Sequence, residues 1–153
     1  MRILFLDIDG VLNSLAYDRE RGAQDGNIDV SRLPLVREII DRTGARVVLT
    51  SSWRVHWDPR GEATDDKGRE IADTFAHYGI TLFDRTPDPG ERAQEVCAWL
   101  SAHPDTESFV IIDDMKLGWG ALDGHTVKTD HRIGRGLGRS HTDRAIKKLL
   151  ETE

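Results

Sequence analysis

Asp7 and Asp9 close an apolar run at the head of the chain, Leu4-Phe5-Leu6-Asp7-Ile8-Asp9-Gly10-Val11, and Asp113 and Asp114 close a second, Phe109-Val110-Ile111-Ile112-Asp113-Asp114. Both runs read as buried strands, where carboxylates are almost never found without a partner or a metal. Open parallel sheets bind ligands in the crevice beyond the carboxyl ends of their strands, and the four acids would stand there. Each pair of like charges about 4 Å apart costs roughly 4 kcal/mol at an effective dielectric of about 20, so a cation is expected among them. Oxygen donors alone, with no cysteine or histidine cluster at ligand spacing, favour a hard ion such as magnesium over zinc. A solvated strand end, or a metal-free hydrogen-bond network, is the plainer alternative.

The same residue types suit chemistry at phosphorus. A carboxyl with an ordinary pKa near 3.9 is ionised at neutral pH, so Asp7 can act as a nucleophile without a general base. Asp9 suits a second task, protonating a leaving oxygen and then accepting a proton from water, which requires crowding or burial to raise its pKa. Val47-Val48-Leu49-Thr50 brings a hydroxyl to another strand end, and Arg92 is the best-placed cation for transition-state charge. Ser51 or Ser52 is an alternative to Thr50, and a solvated helix residue is the alternative reading of Arg92. Arg54 is a candidate for a second phosphate, and Trp53 and Trp57 for base stacking, against core packing for Trp53 and loop cover for Trp57. Arg132, Arg135 and Arg139 alternate with Gly134, Gly136 and Gly138, which fits either an anion-binding loop or a solvated one. His131 and His141 flank that loop without metal-ligand spacing.

The elements that must position these groups are legible as a β/α alternation. Strands are expected at Ile3 to Leu6, Ala45 to Thr50, Ile80 to Phe83, Phe109 to Asp114 and His125 to Lys128. Helices are expected at Ser31 to Thr43, Lys67 to Tyr78, Glu91 to Ala102 with Ala93, Val96, Cys97 and Leu100 inward, and Ser140 to Glu151 capped by Ser140 or Thr142. Polar loops fill 13–30, 56–66, 86–90 and 129–139. Alternation implies a parallel sheet with right-handed crossovers, an α/β architecture of about five strands flanked by helices.

At 153 residues the chain fits one domain spanning 1–153, and 38% hydrophobic with 31% charged residues describes an ordinary globule. No apolar stretch approaches the ~20 residues of a membrane span, and the opening is too short and too soon acidic for a signal peptide, so the cytoplasm is expected. The single Cys97 reads as a small hydrophobe. A net charge of −6 argues against a broad electrostatic grip on nucleic acid while leaving a local basic groove open. Nothing implies an obligate protein partner.

Taken in order, Asp7-Ile8-Asp9-Gly10, Val47-Val48-Leu49-Thr50, Arg92 at a helix start and Asp113-Asp114 after an apolar strand resemble the four motifs of the haloacid dehalogenase (HAD) superfamily of phosphohydrolases. The resemblance implies a three-layer Rossmann-like sheet, an aspartyl-phosphate intermediate on Asp7 and acid/base work by Asp9. It also implies magnesium held by Asp7, the Asp9 backbone carbonyl, and Asp113 or Asp114. Arg stands at 92 where Lys is commoner in that superfamily. The inserts after the first and second motifs are short, as in capless or minimally capped members, whose open site accepts a polymer end or a phosphorylated protein. Thr50-Ser51-Ser52-Trp53-Arg54, Ala98-Trp99-Leu100 and the stretch from Thr129-Asp130 to Gly136-Leu137 are similar to the small phosphatase domains of bacterial RNA-repair proteins. That similarity suggests a phosphorylated nucleic-acid end as substrate. Small phosphorylated metabolites, phosphoryl transfer to another acceptor, and a silent phosphate-binding module remain alternatives, because a fold family does not fix a substrate.

Overall fold

β1 (Arg2–Leu6) forms the middle of a five-stranded sheet in the computed structural model, which describes residues 1–20, 28–87, 90–130 and 132–151. Its partners are β2 (Arg46–Leu49), β3 (Leu82–Arg85), β4 (Ser108–Asp113) and β5 (Thr126–Lys128), in the order β3-β2-β1-β4-β5, every neighbour parallel. The helices are α1 (Leu15–Glu20), α2 (Leu33–Thr43), α3 (Asp66–His77), α4 (Arg92–Ala102) and α5 (Arg139–Leu150), with short 3₁₀ turns at Val30–Arg32, Ser52–His56 and Gly120–His125.

A central parallel strand is covered on both faces, and the unbroken apolar stretch Ile3 to Leu6 is completely buried. Successive side chains point to opposite faces. Leu4 and Leu6 pack with Leu33, Val36, Ile39, Ile71, Phe75, Ile146 and Leu149 from α2, α3 and α5, while Ile3 and Phe5 pack with Val96 and Trp99 of α4 and with Trp119. The result is the expected three-layer α/β arrangement. α2 stops at Gly44, whose left-handed φ of 72° lets its amide close on the Ile40 carbonyl.

Several boundaries differ from the sequence expectation for physical reasons. The polar segment after β1 contains α1, capped by the Ser14 hydroxyl accepting from the Tyr17 amide; it buries no residue, so it leaves no apolar period to read. β3 is shifted to Leu82–Arg85, since Ile80 is spent filling the core and the edge strand tolerates Asp84 and Arg85 opposite Val48 and Leu49. In α4 the inward residues are Glu95, Val96 and Trp99, and Cys97 is exposed. α5 begins at Arg139 after Gly138, whose amide donates to His141 Nδ1, in place of a Ser140 or Thr142 cap. Trp57 is not loop cover but a core residue, 2% exposed. The loops expected at 13–30, 86–90 and 129–139 include residues 21–27, 88–89 and 131, and His131 therefore lies outside the described residues. Among the described residues, no helix is long and apolar enough to cross a membrane.

Candidate active site

The ends of β1, β2 and β4 meet because their register is parallel and unshifted: the Asp7 amide donates to the Ile112 carbonyl at 3.1 Å and the Thr50 amide to the Leu6 carbonyl at 3.0 Å. Asp7 and Asp113 are 3% and 1% exposed. Carboxylate oxygens of Asp7, Asp113 and Asp114 lie within 4.8 Å of one another. Arg92, in the first turn of α4, reaches into this group, with Nη1 at 2.5 Å from Asp113 Oδ2 and 3.4 Å from Asp7 Oδ2. Asp7 Oδ1 accepts from the Ile8 amide at 2.8 Å, and Asp113 Oδ1 from the Met115 amide at 2.9 Å.

Three carboxylates against one guanidinium leave an excess of negative charge in a buried place. Burial, then the charge of Asp113, pushes Asp7 up to about 7, against the opposing pull of Arg92 and the Ile8 amide. Burial and the neighbouring carboxylates therefore favour the protonated form of Asp7 unless a further cation offsets their charge. An all-oxygen set of this charge fits a hard divalent ion. Beside it, Thr50 is completely buried and its Oγ1 has no hydrogen-bond partner among the described residues. A buried hydroxyl without a partner is costly, and an anionic ligand oxygen is the kind of group that would satisfy it.

Asp9 is exposed and its side chain is not one of the clustered carboxylates. Asn13 Nδ2 donates to its Oδ1 at 3.0 Å and Trp53 Nε1 to its Oδ2 at 3.0 Å. Gly10 follows at φ 80°, and a Cβ there would meet Asp114 Oδ2 at 2.3 Å, so the close approach of Asp114 requires a residue with no side chain.

A family profile described as the HAD domain in Swiss Army Knife RNA repair proteins matches residues 3–137. The chain belongs to this family. No curated protein and no solved structure matches it. HAD domains act on phosphorylated substrates, generally with magnesium, and membership brings a phosphatase-like function with which the acidic cluster is compatible.

Ser51 Oγ is engaged as the cap of the turn 52–56, accepting from the Trp53 amide at 3.2 Å, and Ser52 is exposed. Arg54 is turned inward, with Nη2 at 2.7 Å from Glu95 Oε1 and Nη1 at 3.3 Å from the Ser51 carbonyl, so it ties the second-motif loop to α4. Arg135 pairs with Glu20, and Arg139 with Glu38 and Asp143. The loop carrying them closes on the first motif through Thr129 Oγ1, which donates to the Gly10 carbonyl at 2.7 Å, and the Leu137 amide, which donates to the Val11 carbonyl at 2.8 Å. Sequence reasoning missed Asn13, Thr129 and Glu95. Asn13 alone carried a local signal, an amide side chain inside a tight turn where it can bond the backbone; its Oδ1 accepts from the Gly10 amide at 2.8 Å.

Proposed function

We propose that the chain is a magnesium-dependent phosphomonoester hydrolase acting through an aspartyl-phosphate on Asp7. The observation that carries this reading is the convergence of Asp7, Asp113 and Asp114 within 4.8 Å, with Arg92 bound to two of them. Asp7, Asp113 and Asp114, with the Asp9 backbone carbonyl, would hold the magnesium ion, which when bound offsets their charge and that of the phosphoryl oxygens.

A carboxylate oxygen of Asp7 attacks phosphorus, the bond from phosphorus to the leaving oxygen breaks, and that oxygen takes its proton from Asp9. A water then gives a proton to Asp9 while its oxygen attacks the same phosphorus, the bond to Asp7 breaks, and inorganic phosphate departs. Thr50 Oγ1 donates to a phosphoryl oxygen, and the Arg92 guanidinium offsets equatorial charge. Ser51 and Arg54 shape the loop that presents Thr50, with Ser52 at its exposed face.

A phosphorylated polynucleotide end is the substrate class we favour. Its support is the family description, which names RNA repair proteins, together with short inserts: among the described residues the segment between β1 and α2 carries the six-residue α1 and the 3₁₀ turn Val30–Arg32, and that after β2 the 3₁₀ turn Ser52–His56, a bridge between Trp57 and Ala63 and the sheet's own α3 and β3. The test is a panel of 3′- and 5′-phosphorylated oligonucleotides beside sugar and nucleotide monophosphates, with and without magnesium. Magnesium-dependent release of phosphate with highest kcat/KM on oligonucleotides is expected. Strong preference for the monomers would overturn the polymer reading, a phosphorylated acceptor in place of free phosphate would indicate transfer, and binding without turnover a silent module.

A further inference from the structure

We infer that Trp53 and Asn13 are positioning residues for Asp9, a two-point clamp that fixes the acid/base carboxylate in the orientation from which it meets the leaving oxygen. The inference rests on the phosphohydrolase reading and adds to it two groups outside the four motifs. Asp9 is exposed, and an exposed carboxylate left alone samples several rotamers. Here each of its oxygens accepts one N–H at 3.0 Å, from Asn13 Nδ2 and from Trp53 Nε1.

Both donors are themselves held. Asn13 is 6% exposed, and its amide oxygen takes the Gly10 N–H at 2.8 Å, which fixes which end of the side chain faces Asp9. The Trp53 amide is bonded to Ser51 Oγ, its ring packs against the larger core cluster, and the Lys67 ammonium lies 5.3 Å from the ring centroid. One donor belongs to the turn after β1 and the other to the turn after β2, so the direction of Asp9 is locked to the segment that carries Thr50. An ionised carboxylate offers about four lone-pair sites, and the clamp occupies two of them, leaving others for proton exchange with substrate.

Accurate aim of a general acid matters in proportion to how badly the leaving oxygen needs a proton. A p-nitrophenolate departs readily without one, whereas an alkoxide does not. Trp53→Phe keeps an aromatic side chain, smaller than the indole, and removes the donor. The expected result is a fall of about tenfold in the ratio of kcat/KM on an alkyl phosphate to kcat/KM on p-nitrophenyl phosphate, because kcat/KM reports the first displacement and not the hydrolysis of the aspartyl-phosphate that both substrates share. An equal fall on both substrates, or no fall, would overturn the positioning role.

A second measurement needs no turnover. The four tryptophans supply four indole N–H signals in a ¹⁵N spectrum, and the one missing from Trp53→Phe belongs to Trp53. In Asp9→Ala that signal is expected to move to the position of an indole bonded to solvent; an unmoved signal would overturn the clamp. A wild-type protein that hydrolyses neither these phosphates nor phosphorylated oligonucleotides would instead overturn the phosphohydrolase reading, and the positioning role with it, and that result is distinguishable because the indole signal reports the contact alone.

Discussion

At the end of β1 the first acid of the pair, Asp7, is buried and the second, Asp9, is exposed and bonded to Asn13 and Trp53; at the end of β4 Asp113 is buried and Asp114 stays among the clustered carboxylates. In sequence the two ends look alike, an apolar strand followed by paired acids. Their difference comes from one intervening residue. Ile8 separates Asp7 from Asp9 and is fully buried, while Gly10 turns the chain with φ 80°. Asp114 follows Asp113 directly and lies over Gly10, whose missing side chain makes the room. An acid pair at a strand end thus specifies one inward carboxylate, and the spacing decides whether its companion joins the charge cluster or serves elsewhere.

The sharpest way to break this contrast is Asp7→Asn, which removes the nucleophile and one charge of the cluster. Turnover of p-nitrophenyl phosphate is expected to drop about 10³-fold or more with the circular dichroism spectrum retained, and wild-type rates would refute the assignment. The pH dependence of the metal-free protein comes next. The folded chain keeps Asp7 protonated up to about pH 7 against an ordinary value of 3.8, so the folded state binds the extra proton across that window. Stability from this group is therefore complete below about pH 4 and lost as pH rises through 7, on the order of 4 kcal/mol at most. Thermal unfolding from pH 4 to 8 should show the decline, added magnesium should reverse it at pH 8, and Asp7→Asn should remove it.

Gly10→Ala sharpens the comparison from the other side. Its Cβ would strike Asp114 Oδ2, and overpacking of that kind costs about 1–3 kcal/mol, so a lowered unfolding midpoint and weaker magnesium binding are expected together. The smallest effect separates the two companions directly. By calorimetry Asp114→Asn should weaken magnesium binding about tenfold, or 1.4 kcal/mol, whereas Asp9→Asn, which keeps its backbone carbonyl, should weaken it less. Equal losses would erase the distinction drawn here.

The parallel sheet was legible because its central strands are apolar without interruption: Ile3 to Leu6, Val47 to Leu49 and Val110 to Ile112 are all essentially buried. The clustering of Asp7, Asp113 and Asp114 followed from the same logic, since parallel strands in register end together. What escaped reading depends on contacts between distant residues. Glu95 is buried because Arg54 meets it from 41 positions away, and no helical pattern anticipates a buried acid. Trp53, read as a base-stacking candidate against core packing, packs on the core and also bonds Asp9, a partner 44 positions away. Burial, which a list of residue types does not contain, raises Asp7 while the companion expected to be crowded, Asp9, stands exposed.

The family match stops at residue 137, just before α5, yet Ala145, Ile146 and Leu149 from that helix are 0%, 3% and 0% exposed, and the Ser108 hydroxyl is bonded to the Leu149 carbonyl. Burying one large aliphatic side chain stabilises by roughly 1.5–3 kcal/mol, so two of them amount to much of the ~5–15 kcal/mol that holds a domain of this size together. Cutting the chain at the profile's edge would strip α5 from the sheet and leave the apolar side chains it covers facing water.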